Sequence, residues 1–384
     1  MPLADLLALE LLIAAFAGGA FGAALGALNT FVLCGFTVIA GELYALATRA
    51  AGGTVPVNVT GDVAFGVVLG PHVAFGGGAA ALAYAVSKGY VETPGFDYHP
   101  AKEVTVGLGS RPDVLAVGGA FGVLGFAVAT ASGSLGVPTD PVALGVVVSA
   151  LAHRAAFGYS LVGAPLSKLL DMTPFERGEG LTGLPGRPAV GDGGDEADSA
   201  EAVADGGTRT AAATPPRVRD GADDRTRVEP WLPYLYRWRD VVGLGAVVGV
   251  LSGYVAYLTG SAFLAFGISV AALVFLVGGT ARIPVTHHMA LPASTVVLAL
   301  AGAERGTVLP GVVAGDVSMS VALLVAGAFG VFGALAGELL QRVFFAHSET
   351  HLDPPAASIV VSSLVIGVLA WLGVVPASAW IPLG

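Results

Sequence analysis

The ionisable side chains of this chain that could do chemistry stand among apolar neighbours. Glu42 lies in GFTVIAGELYA, His72 in GPHVAFGGGAA, His153 and Arg154 in SALAHRAAF, and His287 and His288 in IPVTHHMALPASTVV. A charge kept in such surroundings is costly, and it marks an ion or solute path, a proton relay or a buried pair. Glu42, His72 and His288 are the groups that could couple proton or ion movement to a solute. Counted from Asn29, Glu42 falls about 20 Å into its apolar run; a run that ends early would leave it at the surface beside Arg49. Arg154 lies equally deep after Asp140. It could hold an anionic solute, pair with a carboxylate, or extend its guanidinium to the headgroups.

The elements that must position these groups follow from composition. Of 384 residues, 54% are hydrophobic and 12% charged, about half the charge of a typical soluble domain. Mean hydropathy is +0.77. Many apolar runs reach the roughly 20 residues that cross a bilayer core. They do not alternate polar with apolar as barrel strands would. The expected class is an all-α integral membrane protein with spans near 3–28, 30–48, 62–87, 113–132, 141–163, 240–258, 262–280, 284–303, 319–341 and 354–374. No Lys or Arg precedes the first run, so a retained span is expected there rather than a cleaved signal. The single cysteine, Cys34, excludes an intrachain disulfide and a CxxC site. The net charge of −10 with only three lysines suits a halophilic source.

Residues 172–230, rich in Gly, Asp, Ala and Pro, have little to bury and read as a disordered linker. They divide the chain into a first membrane unit at 1–171 and a second at 231–384. The stretch WLPYLYRWRD after the linker reads as an interfacial anchor. Lys88, Lys102, Arg111, the linker arginines, Arg282 and Arg342 fall on one side, against Arg49 and Arg305 on the other. That bias predicts a cytoplasmic linker with both termini outside.

The units share a pattern. AFGV-x-G, a loop, Asp-Pro and an apolar span with Val-Val-x-Ser occur from Gly118 and again from Ala326. Five spans per unit is an odd number, so a duplication implies a five-plus-five inverted repeat, as in many secondary transporters. His72 then matches His288, and Gly76 matches Pro292. Each histidine precedes a helix breaker by four residues. Two readings stand for Gly76, Gly77 and Gly78 and for Pro292 to Ser294: broken helices that free backbone groups for a ligand, or close packing at the glycines with a kink at Pro292.

Other polar groups have plainer readings. Asp140 and Asp353, each before a proline, read as ordinary helix N-caps. Glu338 and Arg342 read as an ion pair on one helix face. His347, Glu349, His351 and Asp353 have no recognised metal spacing. Neither a phosphate-binding Gly-Lys-Ser/Thr loop nor HExxH is present.

GGAFGAALGALNTFVLCGFTVIAGE and the overall plan resemble a family of haloarchaeal multi-pass membrane proteins of unknown function. HLDPPAAS at 351–358 is similar, over a short stretch, to the HPP membrane family. The first resemblance implies a multi-pass fold and no substrate. The expectation is therefore a secondary transporter or permease for a small solute, not an enzyme, without cofactor or metal. Its partners would be lipid and a small solute or ion rather than nucleic acid, and a homo-oligomer is compatible with this. A small-solute channel and a scaffold or assembly subunit are the alternatives.

Overall fold

The computed structural model describes residues 2–91, 99–163, 168–177, 228–303 and 312–384, and its secondary structure is helical. The principal helices are α1 (Leu9–Leu25), α2 (Ala27–Ala50), α3 (Ala74–Ser87), α4 (Pro112–Ser134) and α5 (Pro141–Phe157). A short α6 (Thr173–Glu176) precedes α7 (Trp238–Thr259), α8 (Leu264–Ala271), α9 (Leu273–Val277) and α10 (His287–Leu300). The last are α11 (Val312–Asp316), α12 (Met319–Phe344) and α13 (Pro354–Trp371). Five of these, α2, α4, α7, α12 and α13, are long and apolar enough to cross a membrane. The apolar helices α1, α3, α5, α10 and the α8–α9 pair are shorter.

Local sequence explains the ends. α1 stops at Gly26, whose φ of 97° lets α2 begin at the next residue. Pro112, Pro141 and Pro354 open α4, α5 and α13 at the first turn, where a missing N–H costs nothing. The apolar run at 62–87 is divided, but not at Gly76–Gly78. A π-turn at Val59–Ala64 and bends through residue 73 precede α3, which runs unbroken through Gly76–Gly78. Pro292 likewise lies inside a continuous α10.

One set of packings occurs twice. α1 packs on α3 and α4, α3 on α4 and α5, and α4 on α5; α7 packs on α10 and α12, α10 on α12 and α13, and α12 on α13. The units meet where α2 packs on α8 and α5 on α13. Detail recurs as well. A Cβ at Gly19 would stand 2.1 Å from the Gly118 carbonyl oxygen, and one at Gly249 would stand 2.5 Å from that of Ala326. A Cβ at Gly125 would meet the His72 carbonyl oxygen at 1.7 Å, and one at Gly333 would meet that of His288 at 2.3 Å. The interior is thus lined by small residues. Large apolar side chains such as Leu7, Leu324 and Trp371 are 75–87% exposed, a distribution that suits lipid rather than water.

The segments at one end are tied together. Lys102 pairs with Glu229 at 2.7 Å, Glu229 N–H donates to the Ala346 carbonyl at 2.9 Å, and His347 Nε2 meets the Leu169 carbonyl at 2.9 Å. Burial holds the Lys102 ammonium below the usual lysine pKa, and Glu229 opposes that fall. Met172 and Val228 pack with Tyr236 and Ala346, so both ends of the expected linker belong to the folded body. Its central part, residues 178–227, lies outside the described residues. Arg342 Nε pairs with Glu338 at 2.6 Å and stacks 4.5 Å from the Trp238 ring.

These contacts predict a contrast between two glycines. Gly125→Ala should lower the thermal unfolding midpoint in detergent by the equivalent of about 1–3 kcal/mol, because the added methyl meets backbone that cannot move aside. Gly243→Ala has nothing within 4 Å and should leave the midpoint unchanged or slightly raised.

Candidate functional site

Each residue singled out above has a definite place. Glu42 is half-buried on α2. Its Oε1 accepts from Thr60 Oγ1 at 2.7 Å and its Oε2 accepts from Ser261 Oγ, so it clasps the π-turn of one unit to the start of α8 in the other. His72 and His288 are buried, and Nδ1 of each has no hydrogen-bond partner among the described residues. Gly76 N–H donates to the Pro71 carbonyl rather than to that of His72. Pro292 has no N–H for the His288 carbonyl. Both histidine carbonyls are thus denied the usual helical donor, and both lie against a glycine.

Gly77 and Gly78 are packing positions. A Cβ on Gly77 would stand 2.5 Å from the Gly118 carbonyl oxygen, and one on Gly78 would stand 2.7 Å from that of Gly22. Ser294, in the second unit, donates to the Ser252 carbonyl at 3.2 Å. Arg154 is fully buried. Its Nε donates to Thr350 Oγ1 at 2.9 Å and its Nη1 to the Leu161 carbonyl at 2.7 Å. Its Nη2 faces the Phe344 carbonyl, Ser348 Oγ and the Thr350 carbonyl at 2.7–2.8 Å. Arg154 therefore straps α5 to the loop between α12 and α13.

These residues do not line the cavity that lies where the units meet. The cavity of about 150 Å³ lies between the units, and none of Glu42, His72, Gly76–Gly78, Arg154, His288, Pro292 or Ser294 lines it. Its wall is formed by their neighbours. Asp140 and Asp353 cap α5 and α13; Ala143 and Ala356 follow three residues on, and Val146 and Ile359 six residues on. Phe75 and Leu291, each three residues past one of the matched histidines, face it from α3 and α10. Phe31, Phe65, Phe263, Phe266 and Trp380 complete the wall together with His287.

Its two carboxylates are differently placed. Asp140 Oδ1 accepts the N–H groups of Val142 at 2.8 Å and Ala143 at 3.1 Å; Oδ2 makes no hydrogen bond among the described residues. Asp353 Oδ2 accepts from Ala356 N–H at 2.8 Å, and its Oδ1 lies 3.3 Å from His351 Nε2. Asp140 N–H donates to Ser363 Oγ at 2.9 Å, and Asp353 lies ten residues before Ser363. The two carboxylates are therefore separated by about 15 Å of helix. The space between them is apolar and aromatic, with an acid towards each end. Among the described residues no group of three His, Cys, Asp or Glu is placed to hold a metal.

Asp140 and Asp353 do cap their helices as expected, and both also line the cavity. The available signal was that both Asp-Pro pairs recur at matching places in the two units. His287 was overshadowed by His288, which matches His72.

A family model described as a family of unknown function (DUF7973) matches residues 1–384, and the chain belongs to that family. No curated protein and no solved structure matches it.

The arginine strap gives a sharp expectation. Arg154→Lys keeps the charge but loses the planar fork, and one ammonium cannot serve Leu161, Phe344 and Thr350 together. Thermal unfolding in detergent should show a loss of about 3 kcal/mol or more. An unchanged midpoint would mean that the strap contributes nothing.

Proposed function

We propose that the chain is a ten-span membrane protein built as a five-plus-five inverted repeat, and that it moves a small solute as a secondary transporter. The cavity wall carries this reading. Asp140 with Asp353, Ala143 with Ala356, Val146 with Ile359 and Phe75 with Leu291 occupy matching places in the two units. A site lined by both halves in equivalent positions, between helices whose N-termini approach from opposite ends, is the arrangement by which repeat transporters expose one site to each side in turn.

The recurrence of helix packings supports the duplication, and five spans per unit make the second an inversion of the first. The ties among residues 102, 169, 229 and 346 support the sidedness, because the Lys/Arg bias assigns all of these segments to the cytoplasmic side. In this reading the linker is cytoplasmic and the termini lie outside. Protease should then cut the linker in inverted vesicles and spare it in right-side-out ones.

Transport can be tested without knowing the solute. In a Cys34→Ser background, Ala143→Cys and Ala356→Cys place a thiol in the wall. A membrane-impermeant methanethiosulfonate reagent should label both variants from either face, in right-side-out and inverted vesicles alike. Labelling from one face only, or from neither, would remove the carrier reading.

A further inference from the structure

We propose that the cavity binds a small organic monocation, an ammonium on an apolar body of about six non-hydrogen atoms, with its charge at Asp140. The inference deepens the carrier reading and rests on it only in treating the cavity as the solute's place; binding is tested separately from transport.

Size comes first. A cavity near 150 Å³ accommodates a molecule of the size of benzene, and this one is about 150 Å³. Its wall is overwhelmingly apolar, so the body of the ligand must be apolar too. The rings meet edge to face or tilted: Phe31 and Phe75 with centroids 5.9 Å apart, Phe65 and Phe263 at 5.2 Å, and Phe263 and Trp380 at 5.2 Å. An aromatic wall of this kind carries the negative quadrupole of its ring faces, which favours a cation over a neutral or anionic head.

Charge comes next. Asp140 is 7% exposed and makes no ion pair among the described residues, and its Oδ2 is unengaged. A buried carboxylate needs a counter-charge or a full set of donors. The N-terminus of α5 brings roughly half a positive charge to Asp140, which leaves that carboxylate about half a charge short of neutral. His287 also lines the cavity and is 3% exposed. Its own ring is held edge-on by Phe31 at 5.0 Å and Phe266 at 5.7 Å.

Other ligand classes fit less well. An anion would meet two carboxylates and no Lys or Arg in the wall. A hard metal cation requires about six oxygens close together, and the carboxylates here stand at opposite ends. A neutral apolar solute would leave Asp140 uncompensated.

The test uses purified full-length protein in detergent, with binding followed by calorimetry. Tert-butylammonium is the probe and tert-butanol its neutral isostere. Saturable binding of the ammonium, at least tenfold tighter than the alcohol, is expected. Asp140→Asn keeps an N-cap of equal quality and should weaken the ammonium at least tenfold. Phe75→Leu installs the residue that the second unit carries at Leu291 and should weaken it at least threefold; it decides the matter if the first variant fails to fold. Equal affinity for alcohol and ammonium, no saturable binding of either, or ammonium binding unmoved in the folded variants would each overturn the proposal. If the ammonium binds but the wall thiols are labelled from neither face, the carrier reading fails while the ligand assignment stands. Two-sided labelling without ammonium binding gives the reverse.

Discussion

The structure depends on the close approach of helix backbones at glycine. In an apolar surrounding no solvent is available to a carbonyl that has lost its helical donor. The carbonyls of His72 and His288 have lost theirs, one to a shifted hydrogen bond and the other to a proline, and Gly125 and Gly333 lie against them. A side chain at either glycine would hold the helices apart. The same condition applies at Gly19 against Gly118 and at Gly249 against Ala326. Tight contact within each unit fixes where its helix ends fall, and those ends shape the space between the units.

Between the units the packing has a different character. Large rings on α2, α3 and α8, among them Phe31, Phe75 and Phe266, meet at angles rather than interlocking as glycine faces do. Rings set edge to face cannot fill a volume as closely as backbone on backbone, and the remaining space is the cavity. Apart from Asp140, Asp353 and the Glu42 clasp between α2 and the start of α8, the charged groups are elsewhere. Lys102 with Glu229, Arg342 with Glu338 and Arg154 with its carbonyls are gathered at one end, where each buried charge has a partner. Polarity is thus concentrated in ties at that end, and the middle is left to apolar walls and two acids.

Much of this was legible in the sequence. The apolar runs located most helices to within a few residues, but α1 starts and α5 ends six residues inside their runs, and α3 begins only at Ala74, twelve residues into its run. The AFGV-x-G pattern pointed to the matching contacts of α4 and α12. The histidines led to positions next to the cavity rather than in it. His72 and His288 sit beside Phe75 and Leu291 in the chain, but their role is in helix contact, and a linear pattern does not tell which face of a helix meets the other unit. Arg154 was legible as a cation deep in its span, with headgroups, an anion and a carboxylate all open as its partner. Its ligands, from Leu161 and the loop at 344–350, come from distant chain segments that no spacing reveals. The cavity was illegible for a related reason: its wall is assembled from residues as far apart as Phe31 and Trp380. For Gly76–Gly78 the sequence left a break and close packing both open, and the contacts favour packing. The bends fall earlier, at 65–73, because Gly76–Gly78 are held helical by the helices packed on them.

The two acids of the proposed site are not equivalent. Asp353 stands against His351, whose Nδ1 lies 3.3 Å from the Lys102 carbonyl, so the acid at the lysine-bearing end has a polar neighbour that Asp140 lacks. An ammonium arriving at Asp140 meets an uncompensated carboxylate. At Asp353 it must compete with an imidazole already in place. Two sites related by the repeat therefore differ in their hold on the same charge, although the helices that carry them are equivalent. In a symmetric duplicate, differential affinity has to come from substitutions outside the repeated pattern. His351 is one, since the matching position before Asp140 is Pro138. The backbone plan supplies two equivalent places for a solute, and the residues that depart from the plan make those places unequal.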